Sequence, residues 1–250
     1  MHQYFEISKA DINVRCKAYY NDRSPIRKAI VFCTGFAGHK DNGTAEKFAD
    51  KLLSEHDDAE VIVFNWPAHG DDAKKILDLQ DCNSYLDILT DELNKQGISK
   101  LYAYATSFGG YLILKYLSEH EDPFVRIALR CPAIDMYGVL TRNIMKEDEY
   151  ERIMQGEKVE VGFDRKIIVT DKLLHDLQSN DIRQRNYRKF AGKMLVIHGD
   201  ADEVAPFADS ETFTENNNIP FIPVKGADHR FQDPALLTYA HNEVIRFLDL

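Results

Sequence analysis

The stretch Lys100-Leu-Tyr-Ala-Tyr-Ala-Thr-Ser107-Phe-Gly-Gly-Tyr-Leu-Ile-Leu-Lys-Tyr-Leu117 divides into an apolar run, a Ser set among small residues, and apolar positions at helical spacing. Leu101 to Ala105 is short, aromatic-rich and uncharged, the pattern of a strand buried on both faces. Gly110, Ile113, Leu114 and Leu117 then recur at the spacing of one helix face. Strand, sharp turn and helix leave Ser107 at a corner, its side chain held out of the sheet. Such a corner strains the backbone and brings strand and helix within a side chain's width, so small residues are needed on both sides. The G-x-S-x-G pattern of this turn stands here as Ala105-Thr106-Ser107-Phe108-Gly109, with Ala in place of the first Gly.

Outward from this corner the same rhythm repeats. Upstream, Tyr4 to Tyr20 alternates loosely and predicts two antiparallel strands joined around Lys9-Ala10-Asp11. Lys28 to Thr34 reads as a buried strand, Gly35 to Gly43 as a glycine-rich loop, and Thr44 as the cap of a helix with Phe48, Leu52 and Leu53 inward. Val61 to Trp66 is another buried strand, and Tyr85, Leu86, Ile88, Leu89 and Leu93 form a helical stripe. Strand, helix, strand, helix predicts a parallel sheet covered on both faces. Downstream, Phe124 to Pro132 continues the sheet, although Arg126 and Arg130 make this strand less uniformly apolar.

The rhythm then breaks. From Asp135 to about Lys193 the chain carries amphipathic helices (Ile144 to Met154, Leu173 to Leu177) and a hairpin pairing Val159–Phe163 with Ile167–Val169. Residues 135–190 read as an inserted cap, and 1–134 with 191–250 as the core of one structural domain. Met194 to His198 and Pro220 to Val224 return to the sheet. A last helix, Asp233 to Leu250, is expected to bury Leu236, Leu237, Tyr239, Ala240, Val244 and Phe247.

A chain of 250 residues with 44% hydrophobic content supports one sizeable core and is short for two. A net charge of −10, with no dense basic run, opposes binding to a phosphate backbone, so no nucleic-acid partner is expected. The first residues lack the basic-then-apolar signal pattern, and no apolar stretch approaches the ~20 residues that span a bilayer, so a cytoplasmic protein is expected. Cys16, Cys33, Cys82 and Cys131 form no C-x-x-C and read as buried reduced thiols. His69, Asp71 and Asp72 cluster without metal-ligand spacing, so neither metal nor cofactor is expected.

Acyl transfer by a Ser needs a base for the hydroxyl proton, an acid to fix that base's tautomer, and donors for the developing oxyanion. Each has a candidate at the carboxyl end of a strand, where open parallel sheets place their ligands. Ser107, an Asp in the turn after 194–198, and His229 after the last strand follow in the chain order Ser, Asp, His. The residues alone do not rank Asp200 against Asp202, and Asp135 could stand in as the acid. His198 ends a strand and reads as a hydrogen-bonded structural histidine.

With these motifs in place the chain resembles the alpha/beta-hydrolase superfamily, and within it the small cinnamoyl or feruloyl esterases and the monoacylglycerol-lipase-like serine hydrolases. The resemblance rests on Thr34-Gly35-Phe36-Ala37-Gly38-His39-Lys40, on Ala105 to Gly109, on His198-Gly199-Asp200-Ala201-Asp202 and on Gly226-Ala227-Asp228-His229. It implies Ser107 as nucleophile, Asp202 as acid, His229 as base, and the backbone N–H groups of Phe36 and Phe108 as oxyanion hole. Thr34, where the family carries His, and Ala105 depart from its pattern.

The activity expected is metal-free hydrolysis of small carboxylic esters of small to medium acyl groups through an acyl-enzyme. Amides and thioesters use the same triad, which keeps an aminopeptidase or thioesterase open; a catalytically silent binding protein on the same fold is the alternative outside enzymes. Gly35 and His39 in the glycine-rich loop are the substrate-binding candidates from the core. Tyr137, Leu140 and Ile144 are those from the cap, with Met145, Met154, Leu173 and Leu174 as further apolar lining. Glu147, Asp148, Glu149, Glu151 and Arg152 are expected on its solvated face.

Overall fold

The computed structural model describes residues 1–22 and 24–250. Among the described residues ten strands and eight α-helices follow in chain order: β1 (His2–Lys9), β2 (Ile12–Tyr20), β3 (Lys28–Cys33), α1 (Gly43–Glu55), β4 (Ala59–Phe64), α2 (Leu79–Lys95), β5 (Lys100–Thr106), α3 (Phe108–Glu119) and β6 (Phe124–Arg130). Then come α4 (Met136–Gly138), a π-helical turn at Val139–Ile144, α5 (Glu147–Met154), β7 (Val159–Val161), β8 (Ile167–Val169) and α6 (Asp171–Ser179). The chain closes with β9 (Met194–Gly199), α7 (Phe207–Asn217), β10 (Phe221–Val224) and α8 (Pro234–Leu248).

Eight strands make one sheet in the order β1-β2-β4-β3-β5-β6-β9-β10. β1 and β2 pair antiparallel and β2 runs antiparallel to β4; every later pairing in this sheet is parallel. This is the alpha/beta-hydrolase fold. β3, β4 and β5 lie in the middle and are buried along nearly their whole length. That explains their continuous apolar runs, since a parallel strand between two helix layers has no solvent face. Helices α2 and α3 bury one sheet face with Leu86, Leu89, Leu93, Leu112 and Leu114, while α1 and α8 bury the other with Phe48, Leu52, Ala240, Val244 and Leu248.

The structure shifts several local expectations. Helix α1 is capped by Asn42, not Thr44: the Asn42 Oδ1 accepts from the N–H groups of Thr44 and Ala45 at 2.9 and 3.1 Å. Both are good cap residues, and the one that precedes the first helical residue, Gly43, takes the role. In α8 the buried stripe is Leu237, Ala240, His241, Val244 and Leu248, whereas Tyr239 is 44% exposed. Helical geometry separates positions 239 and 240 by about 100°, so Tyr239 turns outward when Ala240 packs.

Between β6 and β9 the chain leaves the main sheet. β7 and β8 form an antiparallel ribbon of their own, which docks on the segment after β4 through a bridge between Ile76 and Ile168. The Nζ of Lys172 adds a 2.8 Å ion pair to Asp78. Glu149 is not solvated: its carboxylate accepts from the Lys146 N–H at 2.9 Å and closes the start of α5, which leaves it buried.

Candidate active site

Ser107 sits between the end of β5 and the first residue of α3 with φ +51° and ψ −118°. A non-glycine residue pays for positive φ and keeps it only where its surroundings over-determine it. Here they do: the Ser107 N–H donates to the Arg130 carbonyl at 3.1 Å, and the Ser107 carbonyl accepts from the N–H groups of Tyr111 and Ala133 at 3.2 and 3.1 Å. Gly109 explains the small residue after the turn, because a Cβ there would collide with the carbonyls of Cys33 and Thr34 in the next strand. Gly35 lies against the Ser from the other side, and a Cβ on it would stand 3.2 Å from the Ser107 Cβ.

Two loops at the same edge of the sheet complete the arrangement. The turn after β10 carries His229, whose Nε2 lies 3.0 Å from Ser107 Oγ. The turn after β9 carries Asp202, whose Oδ2 lies 2.7 Å from His229 Nδ1. A carboxylate facing Nδ1 fixes the proton on that nitrogen and leaves Nε2 as the acceptor for the Ser107 hydroxyl.

The Asp202 side chain is fully buried and fully engaged. Its Oδ1 accepts from the N–H groups of Val204 and Ala205, both at 2.8 Å, and its Oδ2 accepts a second imidazole donor, His198 Nε2, at 3.0 Å. Burial pushes this carboxyl up, but the hydrogen bonds and charge of His198 and His229 outweigh it and hold Asp202 well below the usual carboxylate range. His198 Nε2 also faces the Ala205 carbonyl at 3.0 Å, and its Nδ1 faces the Ser210 hydroxyl at 2.8 Å. The Cys131 sulfur lies within 4.8 Å of ligand atoms of His198 and Asp202. Burial, then the Asp202 charge, keeps that thiol protonated, and the His198 Nε2 proton points at oxygen, so the trio is a hydrogen-bonded cluster without a free metal-binding lone pair on that nitrogen.

The remaining predicted residues scatter. Asp200 accepts from the Gly226 N–H at 2.6 Å and ties the two turns together. Asp135 pairs with Arg142 at 2.8 Å and Arg183 at 3.2 Å, so its carboxylate is already occupied. A cleft of about 600 Å³ opens over Ser107 and His229, with Gly35, Phe36 and Ile144 in its wall. Phe108 stands behind it, stacked on His69 and edge-on to Phe36. Among the described residues, His39, Tyr137 and Leu140 do not line this cleft. His39 faces a neighbouring cavity beside Lys40 and Asp71; Leu140 is fully buried in the main core; Tyr137 turns its hydroxyl to Tyr150 at 3.3 Å.

Met145, Leu173 and Leu174 are core residues too, and Met154 is 46% exposed. His69 is buried and pushed down to about 4 by burial, its Nδ1 bonded to the Pro67 carbonyl. Asp71 and Asp72 are spent on Lys40, Asn65 and Tyr85. In the wall instead are Thr106, Arg130, Val204 and the hairpin turn Phe163, Asp164 and Arg165. Of these, Arg130 stood out in the sequence, together with Arg126, as a charge in a largely apolar strand.

A model of the alpha/beta hydrolase fold matches residues 28–156, just over half of the chain. The chain belongs to the alpha/beta hydrolase family. Membership supports a hydrolase, and its fold brings Ser107, Asp202 and His229 to one sheet edge. Among solved structures the hydrolase is similar to Est1E from Butyrivibrio proteoclasticus with ferulic acid bound, at 15% identity and TM-score 0.76, covering 98% of this chain and 100% of that one. It is also similar to monoacylglycerol lipase from Paleococcus ferrophilus (19% identity, TM-score 0.67, 95% and 98% covered). A soluble variant of monoglyceride lipase from Saccharomyces cerevisiae follows (14%, TM-score 0.73, 100% and 94%). At these identities the likeness is one of fold. No curated protein matches the sequence. Among the described residues no helix of this hydrolase is long and apolar enough to cross a membrane.

Proposed function

We propose that the protein is a serine hydrolase that cleaves small carboxylic esters through an acyl-enzyme. The observation that carries this reading is the hydrogen-bonded chain Ser107 Oγ, His229 and Asp202, at 3.0 and 2.7 Å, opening on a substrate-sized cleft. In the forward step His229 Nε2 takes the Ser107 proton as Oγ attacks the ester carbonyl. Asp202 holds the imidazole and offsets its positive charge. The N–H of Phe108, at the first turn of α3 and therefore without an intrahelical acceptor, and that of Phe36 are the donors for the oxyanion. As the tetrahedral intermediate collapses, His229 returns its proton to the leaving alcohol and the C–O bond breaks. Water then enters, gives a proton to His229 and attacks the acyl carbon; as that intermediate collapses, His229 returns the proton to Ser107 Oγ, the bond from the acyl carbon to Oγ breaks, and the acid leaves.

Residues 135–190 act in this reading as a cap over the site, joined to a core of 1–134 and 191–250. Two features support that role: Ile144 and the Phe163–Arg165 turn stand in the cleft wall, and the Asn143 side chain donates to the Val204 carbonyl at 2.7 Å, next to the acid turn. Ferulic acid and monoacylglycerol in the names of structural relatives support an ester over an amide or thioester.

The test is steady-state hydrolysis of p-nitrophenyl esters of graded acyl length beside aminoacyl anilides and acyl thioesters. Ester turnover should lead, and Ser107→Ala and His229→Ala should each lower kcat by on the order of 10³-fold or more. Near-wild-type turnover by purified Ser107→Ala would end the proposal.

A further inference from the structure

The cleft holds a cation with nothing to neutralise it. Arg130 is the last residue of β6, paired in register with Thr106, so its side chain stands one residue from the Ser107 corner in the neighbouring strand. It is 95% buried, at 5% relative exposure, yet lines the same cleft as Ser107. Its Nε and Nη1 have no hydrogen-bond partner, and among the described residues no carboxylate pairs with it. The ring of Phe231 lies 5.1 Å from its Cζ, a contact that suits a cation but does not neutralise it.

Nor can its neighbours supply the missing charge. Burial, and after it the Arg130 charge, push His241 down to about 3, so that ring stays neutral; its Nε2 is buried and unpartnered. Burial raises the Tyr104 phenol, whose hydroxyl is likewise unpartnered, and the Cys131 thiol is held protonated. Asp202 is committed to His198 and His229. A guanidinium does not deprotonate in proteins, and an unpaired buried charge costs several kcal/mol, so the site is built for an anion that arrives from outside.

The cleft is the open side. Asn42 and Thr44, at the start of the 13-residue α1, stand in its wall, and that end of a helix carries partial positive charge. The charged residues around the cleft are Arg130, Arg165, Arg230 and Asp164, and Asp164 lies 3.5 Å from Arg230. In a chain of net charge −10 this is a local positive field.

We propose that the preferred substrate is an ester bearing a second, anionic group, a carboxylate that Arg130 receives in the cleft. This deepens the reading of Ser107 as nucleophile and rests on it. One unpaired guanidinium matches one negative charge, and a carboxylate is an anion that a guanidinium takes by charge-assisted hydrogen bonding. A carboxylate at this point tethers the substrate beside the corner, leaving its ester to reach Ser107.

The experiment compares matched pairs. One pair places the charge on the acyl side, the mono-p-nitrophenyl ester of glutaric acid against its methyl-capped diester. The other places it on the alcohol side, the acetate of 4-hydroxybenzoic acid against that of its methyl ester. In at least one pair kcat/KM for the acid should exceed that for the neutral partner by about ten- to a hundredfold, the range of one charge-assisted hydrogen bond. Arg130→Gln should bring the ratio near one, and Arg130→Lys should keep part of it. Equal rates in both pairs with the wild type, or a preference that survives Arg130→Gln, would overturn the proposal.

Binding is read separately by thermal shift in Ser107→Ala, which leaves the ester intact. Monomethyl glutarate should raise Tm and dimethyl glutarate should not, a comparison that needs no substitution at Arg130. Arg130→Met, which replaces an unpaired charge with apolar volume, should raise the Tm of the ligand-free protein; a fall would mean that Arg130 is paired in the fold. Selective binding of the acid without turnover would sink the catalytic reading and leave this subsite standing. Phosphonylation of Ser107 with no preference for the acid would do the reverse.

Discussion

Two residues apart in the turn after β9, Asp200 and Asp202 meet different partners: a backbone N–H for the first, two imidazoles and two backbone N–H groups for the second. Asp202→Asn keeps the shape but cannot favour the Nδ1 proton on His229, and kcat should fall by about 10⁴-fold. Asp200→Asn loses only a charge-assisted bond to Gly226 and should do far less. Stopped-assay kcat values for the two variants decide this, and the reverse order would move the acid to Asp200. At this scale the sequence was informative where chemistry demands a residue type at a strand end, which is why Ser107, an Asp in the turn after β9 and His229 could be named together; the choice of Asp202 over Asp200 came from the family resemblance. It was uninformative where a side chain's direction matters. His198 read as a structural histidine, and nothing in its position announced that it would be the second imidazole donor to Asp202. His39, Tyr137 and Leu140 occupy the right segments, yet their side chains face a neighbouring cavity, the Tyr150 hydroxyl and the main core.

The strands were the most legible elements, because burial on both faces leaves an apolar run that admits few other readings. The β7–β8 ribbon was legible for a related reason, with an alternating arm, Val159-Glu160-Val161, and a β-branched run, Ile167-Ile168-Val169, on either side of a turn. Helical segments of the excursion were legible only in part. An amphipathic stripe says that one face is covered but not by what, so Leu173 and Leu174, expected toward substrate, pack into the main core. The π-helical turn at Val139–Ile144 has no periodic signature in the sequence and displaces the start of α5 to Glu147. What the excursion presents to the cleft is Ile144 and the turn Phe163 to Arg165, of which Ile144 and Phe163 are the apolar members. Ile144→Ala and Phe163→Ala should therefore change the ratio of kcat/KM between short and bulky acyl esters, with ~1–3 kcal/mol available per methylene-sized change in fit. An unchanged ratio in both variants would assign acyl selection to the core loops around Phe36.

Across the whole molecule, pH acts through groups far from the site as well as within it. Burial raises Glu60, in the middle of the sheet on β4, from 4.5 to about 7. The folded state then binds a proton that the unfolded chain has already released, so this contribution is complete below about 4.5 and is lost as pH rises through about 7. Asp202 acts in the opposite sense: depressed in the fold, it contributes above its ordinary value and that contribution is lost as pH falls through the lower one. Thermal melts from pH 4 to 9 should show Glu60→Gln gaining on the wild type as pH rises, by on the order of 1–3 kcal/mol at pH 8. Parallel curves would mean that Glu60 ionises normally. The fold brings Ser107, Asp202 and His229, separated by as many as 122 residues, to one sheet edge, and an activated hydroxyl there is what the proposed function requires. Intact-mass and peptide mapping after treatment with a fluorophosphonate measure this directly. The account predicts a single adduct on Ser107, absent in Ser107→Ala and much slower to form in His229→Gln; no adduct, or one on another residue at the same rate in all three proteins, would contradict it.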